Sequence, residues 1–87
     1  MSLQVIKEKL ESIPGLSVSE RGTGKAKFLY VQSARRAVEV AETTNGIWIE
    51  CWDDTDKDET RVSEETVKTN EEALTKVKLW LIPVKGQ

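Results

Sequence analysis

The first residues with chemical potential are acidic. Asp54, Asp56, Asp58 and Glu65 stand at positions 1, 3, 5 and 12 of a calcium loop of the EF-hand kind, where carboxylate oxygens at that spacing surround a hard cation. The sixth position needs glycine for a sharp turn and is Glu59, and the eighth is Arg61 in place of an aliphatic residue. The segment before it reads as a strand, whereas an EF-hand needs a helix there. The run 53–61 is therefore expected to be a solvated acidic loop without a metal, its charge keeping a neighbouring strand edge from pairing outward.

Other constellations are weaker still. Gly22-Thr23-Gly24-Lys25 has the glycines and lysine of a phosphate loop, but too few residues separate the glycines and Ala26 stands where Ser or Thr must bind magnesium. The chain has no histidine, so acid–base work would fall to a carboxylate or a lysine, and no hydroxyl or thiol has a local activating partner. Its single cysteine, Cys51, excludes an internal disulfide and a zinc site of ordinary ligand count. Cys51 alternates in phase with Ile47 and Ile49 and is read as a small core hydrophobe that alkylates slowly. These absences predict a protein that is not an enzyme and uses no cofactor.

Recognition is the remaining chemistry. In 47–53 Ile47, Ile49 and Cys51 point one way, and Trp48, Glu50 and Trp52 the other, with Glu50 marking the solvent side. Val38 and Val40 oppose Ala37, Glu39 and Ala41, while Phe28 and Tyr30 oppose Lys27, Leu29 and Val31. Grouping these sets predicts an open sheet face presenting Leu29, Val31, Trp48 and Trp52. Each tryptophan offers on the order of 150–250 Å², enough with two aliphatics to match the roughly 300–600 Å² of a typical monomer's largest apolar patch.

The elements that must position these residues follow from periodicity. Leu3, Ile6, Leu10 and Ile13 recur at helical steps after Ser2, an N-cap residue, and Pro14-Gly15 stops the helix. A period of two then predicts strands at 16–21, 26–32 and 36–43, and Asn45-Gly46 predicts a type I′ hairpin into a fourth strand over 47–53. Residues 65–68 could add a short edge strand, and the stretch 62–68 could equally extend the last helix. Thr69 and Glu72 have the spacing of a capping box, opening a helix whose stripe is Ala73, Leu74, Val77, Trp80 and Leu81 and which Pro83 ends.

Eighty-seven residues make one domain over 1–87, since a chain of this size buries only about 60–65% of its unfolded surface. The order helix, strands, helix with short connections predicts an α+β two-layer sandwich: an antiparallel meander of four to five strands with both helices on one face. Lys7, Glu8, Lys9 and Glu11 interrupt the N-terminal apolar positions, so neither a signal sequence nor a membrane span is expected, and the cytoplasm is the expected location.

Net charge is −2, but residues 1–38 carry +4 and residues 39–87 carry −6. Two functional readings use these features. In one, a non-enzymatic interaction module docks a protein partner or a second copy on the open face through Trp48 and Trp52. In the other, single-stranded nucleic acid stacks its bases on Trp48, Trp52 and Tyr30 while the basic hairpin ends, Arg21, Lys25, Lys27, Arg35 and Arg36, follow the phosphates. Glu50 and the acidic run beside the rings would repel a polyanion, which favours the first reading.

Overall fold

The computed structural model describes residues 3–33, 36–53 and 60–82, with side chains from residue 63 onward in the last segment. Its elements run α1 (Leu3–Glu11), β1 (Ser17–Arg21), β2 (Phe28–Ser33), β3 (Arg36–Thr43), β4 (Gly46–Asp53), β5 (Thr60–Val67) and α2 (Asn70–Leu81). The five strands form one antiparallel sheet in the order β1-β2-β3-β4-β5, the expected meander. Helix α1 lies against β1, β2 and β3, and α2 against β3 and β4, so the two helices sit side by side on one face and touch each other.

The core lies between these layers. Ile6 and Leu10 come from α1, Ala73, Leu74, Val77 and Leu81 from α2, and Leu29, Val31, Val38, Val40, Ile47, Ile49 and Cys51 from the three central strands. Fully burying a Leu, Ile or Val side chain contributes about 1.5–3 kcal/mol, and this cluster supplies most of what offsets the chain entropy lost on folding. Helix α2 starts as its sequence predicts: Glu72 N donates to Thr69 Oγ1 at 3.1 Å, and Thr69 N donates to the Glu72 carboxylate at 3.1 Å. The predicted cap Ser2, like Ala34, Arg35, residues 54–59 and Pro83, lies outside the described residues.

Two local expectations are corrected. The fifth strand is neither a four-residue fragment nor an extension of the helix. It spans eight residues, Thr60–Val67, and pairs along nearly all of β4, with a bulge at Cys51/Trp52. An edge strand tolerates the charges that made this segment look unstructured.

The β3–β4 turn is shifted by one residue from the expected Asn45-Gly46 pair. Thr43 pairs with Gly46, leaving Thr44 and Asn45 as the turn, and Thr43 Oγ1 accepts from Asn45 N at 3.2 Å while donating to the Gly46 carbonyl at 3.0 Å. Gly46 instead opens β4 with φ +140°, buried beneath the end of β5, and a Cβ there would collide with the Val67 carbonyl oxygen. Lys68 Nζ closes the same corner by donating to the Asn45 carbonyl at 3.0 Å.

A second corner joins sequence-distant segments. Arg36 stacks 4.2 Å from the Trp80 ring centre, donates to the Trp80 carbonyl at 3.2 Å, and pairs with Asp53 at 3.6 Å. Trp80 Nε1 donates to the Trp52 carbonyl at 3.0 Å, so the last turn of α2 is clasped to the start of β3 and the end of β4.

Replacing Gly46 by alanine forces both the strained φ and the collision. Gly46→Ala is expected to lose about 2–3 kcal/mol in urea unfolding, against less than about 0.5 kcal/mol for a substitution at exposed Thr44.

Candidate functional site

The face of the sheet away from the helices is set by cross-strand register. Leu29 pairs with Val40 and Val31 with Val38, while Val38 pairs with Cys51 and Val40 with Ile49. Leu29 and Val31 therefore face the helices and have no exposed surface, and their expected place on the open face is a misassignment. The hairpin β2–β3 closes at Ser33 and Arg36, so paired positions have opposite parity, and odd residues of β2 share a face with even residues of β3. Phe28 and Tyr30 take the place assigned to Leu29 and Val31. Both are half-buried, as are Trp48 and Trp52.

The open face is ordered in rows across the strands. Trp48 lies between Ala41 and Thr66, and Trp52 lies opposite Ala37, small residues that leave room for indoles lying over the sheet. Ala37 has no exposed surface although no helix covers its face, and register sets Trp52 on one side of it and Gln32 on the other. Between the tryptophan rows runs a row of carboxylates: Glu39 opposite Glu50, and Glu50 opposite Glu64. Like charges directly opposite on neighbouring strands are destabilising unless they are compensated, and each of these carboxylates is engaged within the chain. Glu50, at the centre, is only 7% exposed.

The rings are fastened from within the sheet. Trp48 Nε1 donates to the Glu64 carboxylate at 3.0 Å, and all three glutamates of the row are engaged within the chain. Arg21 lies over Tyr30 with its guanidinium carbon 4.0 Å from the ring centre. Trp52 differs: its Nε1–H is buried without a hydrogen-bond partner, a state that costs about 1–3 kcal/mol. Sequence alternation alone could find Trp48, Glu50 and Trp52; Phe28, Tyr30, Glu39 and Glu64 required the register, whose signal was the two-residue spacing of the hairpins.

The basic residues named for nucleic-acid binding are not brought together. Arg21, Lys25 and Lys27 sit at the β1–β2 end of the sheet, where Lys25 and Lys27 border a shallow cleft of 710 Å³ that also contains Glu20 and Glu42. Arg36 is at the opposite end of β2 and is held by Trp80 and Asp53, while Arg35 lies outside the described residues.

Of the acidic-loop residues, Asp54, Asp56 and Asp58 are outside the described residues, and Glu65 belongs to β5, paired with Lys76 of α2 at 3.3 Å. Among the described residues no cluster of three or more Cys, Asp and Glu side chains is arranged to hold a metal, and no helix is long and apolar enough to cross a membrane.

Cys51 is a buried free thiol on the helix side of β4. Burial pushes its pKa above the ordinary thiol value, and Glu65 adds to this, against an opposing hydrogen bond from Ser63 and the Lys76 charge. No protein-family model, curated protein or solved structure matches the chain.

Leu29→Ala is expected to cost about 2–5 kcal/mol in urea unfolding, as a core truncation does, and a loss below about 1 kcal/mol would return Leu29 to the surface. The raised Cys51 pKa sets a sign for pH dependence: its contribution is complete below the ordinary thiol range and is lost as pH climbs through the raised value. Stability of the wild type should therefore fall more steeply above about pH 9 than that of Cys51→Ala, and the native thiol should react with a disulfide reagent far more slowly than the urea-unfolded chain.

Proposed function

We propose that this chain is a protein-interaction module that docks a partner protein on the sheet face away from its helices. The observation that carries the reading is the composition of that face. Phe28 and Tyr30 of β2 and Trp48 and Trp52 of β4 are half-buried rings on the two strands that flank β3, with alanines of β3 beside the indoles, and both helices lie on the other side. Aromatic side chains on a rigid scaffold are the residue type from which interface hot spots are drawn, because they bury large area for little lost side-chain freedom. A sheet closed on one side by two helices holds such rings in fixed positions without help from a loop.

The face is unlike an ordinary solvent surface in a second way. Trp52 holds a buried N–H that has no acceptor among the described residues. Among the described residues no comparable arrangement favours nucleic acid: the cationic side chains at the two ends of the sheet are separated, and a row of glutamates crosses the centre of the face.

A benzophenone side chain installed at position 48 and irradiated in the cells that make the protein should yield a discrete protein adduct, while the same group at exposed position 71 on α2 should not. Absence of an adduct from position 48, or equal labelling from both positions, would sink the proposal.

A further inference from the structure

We infer that the outer edge of β5 is a second docking site, separate from the open face, which takes up an extended segment of another protein as a sixth strand. That segment carries a large apolar side chain on the side toward α2. Thr43 and Gly46 close their hairpin over two residues and so form a hydrogen-bonded pair, after which bonded and non-bonded pairs alternate along the ladder. Trp48, Glu50 and Trp52 therefore turn their backbone groups to β3, while Ile47, Ile49 and Cys51 turn theirs to Val67, Glu65 and Ser63 of β5. The intervening residues of β5, Thr66 among them, aim N–H and C=O out of the sheet, where no further strand lies among the described residues.

Such a row is a template for another strand unless it is guarded by a short length, a proline, a charge or a cover. β5 spans eight residues, and its stretch 63–67 has no proline and no basic residue. Its two carboxylates are drawn back from the edge: Trp48 Nε1 donates to Glu64 at 3.0 Å, and Glu65 pairs with Lys76 of α2 at 3.3 Å. The bulge at Cys51/Trp52 interrupts the ladder only toward Thr60 and leaves 63–67 regular. The opposite edge differs, since β1 has five residues and α1 lies against it.

The helix layer says what the segment must carry. Helix α2 lies over β3 and β4, and a groove of 470 Å³ runs between its flank and β5, lined by Thr75 and Leu79 from the helix and Val67 from the strand. Leu79 is 64% exposed, the most exposed large apolar side chain among the described residues. In a strand added to β5, alternate side chains rise on the helix side at the mouth of this groove, and one of leucine or phenylalanine size there covers Leu79 and Val67. A second copy fits the edge but not the groove. Two sheets joined through their β5 strands set the α2 axes four strand spacings apart, roughly 19 Å. Packed helices lie about 8–10 Å apart, so neither Leu79 would reach the other copy's helix.

The test selects a random dodecapeptide library, displayed on phage, against the full chain and titrates a recovered peptide into isotope-labelled protein. Recovered peptides are expected to share a large apolar residue. Amide shifts should change along 63–67 and at Thr75 and Leu79, and the Thr66 amide, in fast hydrogen exchange in the free chain, should become protected on binding. Thr66→Pro removes an outward N–H and keeps the ladder to β4, so thermal unfolding should find it folded. It should weaken the peptide about tenfold or more, and Leu79→Ser about fivefold.

Recovery of no peptide, or equal affinity for wild type and folded Thr66→Pro, would overturn the inference. A Thr66 amide already protected in the free chain would do the same, because the chain itself or a second copy would then hold the edge. Shift changes confined to Phe28, Tyr30, Trp48 and Trp52 would remove the edge site and keep the open face, whereas changes at 63–67 with no adduct from position 48 would keep the edge site alone.

Discussion

The parity of the strand register governs both faces of this sheet, because each pairing decides which alternate set of side chains meets the helices. Ser33 with Arg36 and Thr43 with Gly46 close their hairpins over two residues, so the core set is odd in β2, even in β3 and odd again in β4. A slip of one residue would carry Val38 and Val40 to solvent and Glu39 into the core, a change too costly for a chain of this size to survive. The open face is held in register by the same requirement. Its aromatic and acidic rows are positioned by what the opposite face must bury.

That dependence explains how much the sequence disclosed. Helical periodicity in Leu3, Ile6 and Leu10, the Thr69–Glu72 box and the alternation of β4 are local signals, and the α+β meander with both helices on one face follows from them. The side of the sheet taken by Leu29 and Val31 is not local. Alternation within β2 says only that Leu29 and Val31 oppose Phe28 and Tyr30; the hairpin length decides which pair faces the helices, and Lys27 beside them misleads because it precedes the strand.

β5 was hidden for a related reason. Glu64, Glu65 and Arg61 make it look like a loop, yet an edge strand has one partner and two solvated surfaces, so charge costs it little. The glutamate row could not be read from any single strand, since its three members are 11 and 14 residues apart in the sequence and meet only through pairing. Gly46 shows the converse. Its residue type marks it as special in the sequence, but the reason lies in the Val67 carbonyl above it and not in the turn beside it.

The clasp of Arg36, Asp53, Trp52 and Trp80 bears on the entropy of closing the fold. Every strand pairing in the meander joins sequence neighbours, so each hairpin closes a short loop at small entropic expense. The contact from Arg36 to Trp80 spans 44 residues and that from Trp80 to Trp52 spans 28, so each closes a longer loop than any hairpin of the sheet. These contacts, like those of α1 with α2, therefore carry a larger loop-closure cost than the hairpins do. The two tryptophans joined by that hydrogen bond lie on different layers, one in the helix and one in the strand that bears the open face, so the C-terminal helix is tied to the backbone that carries that face.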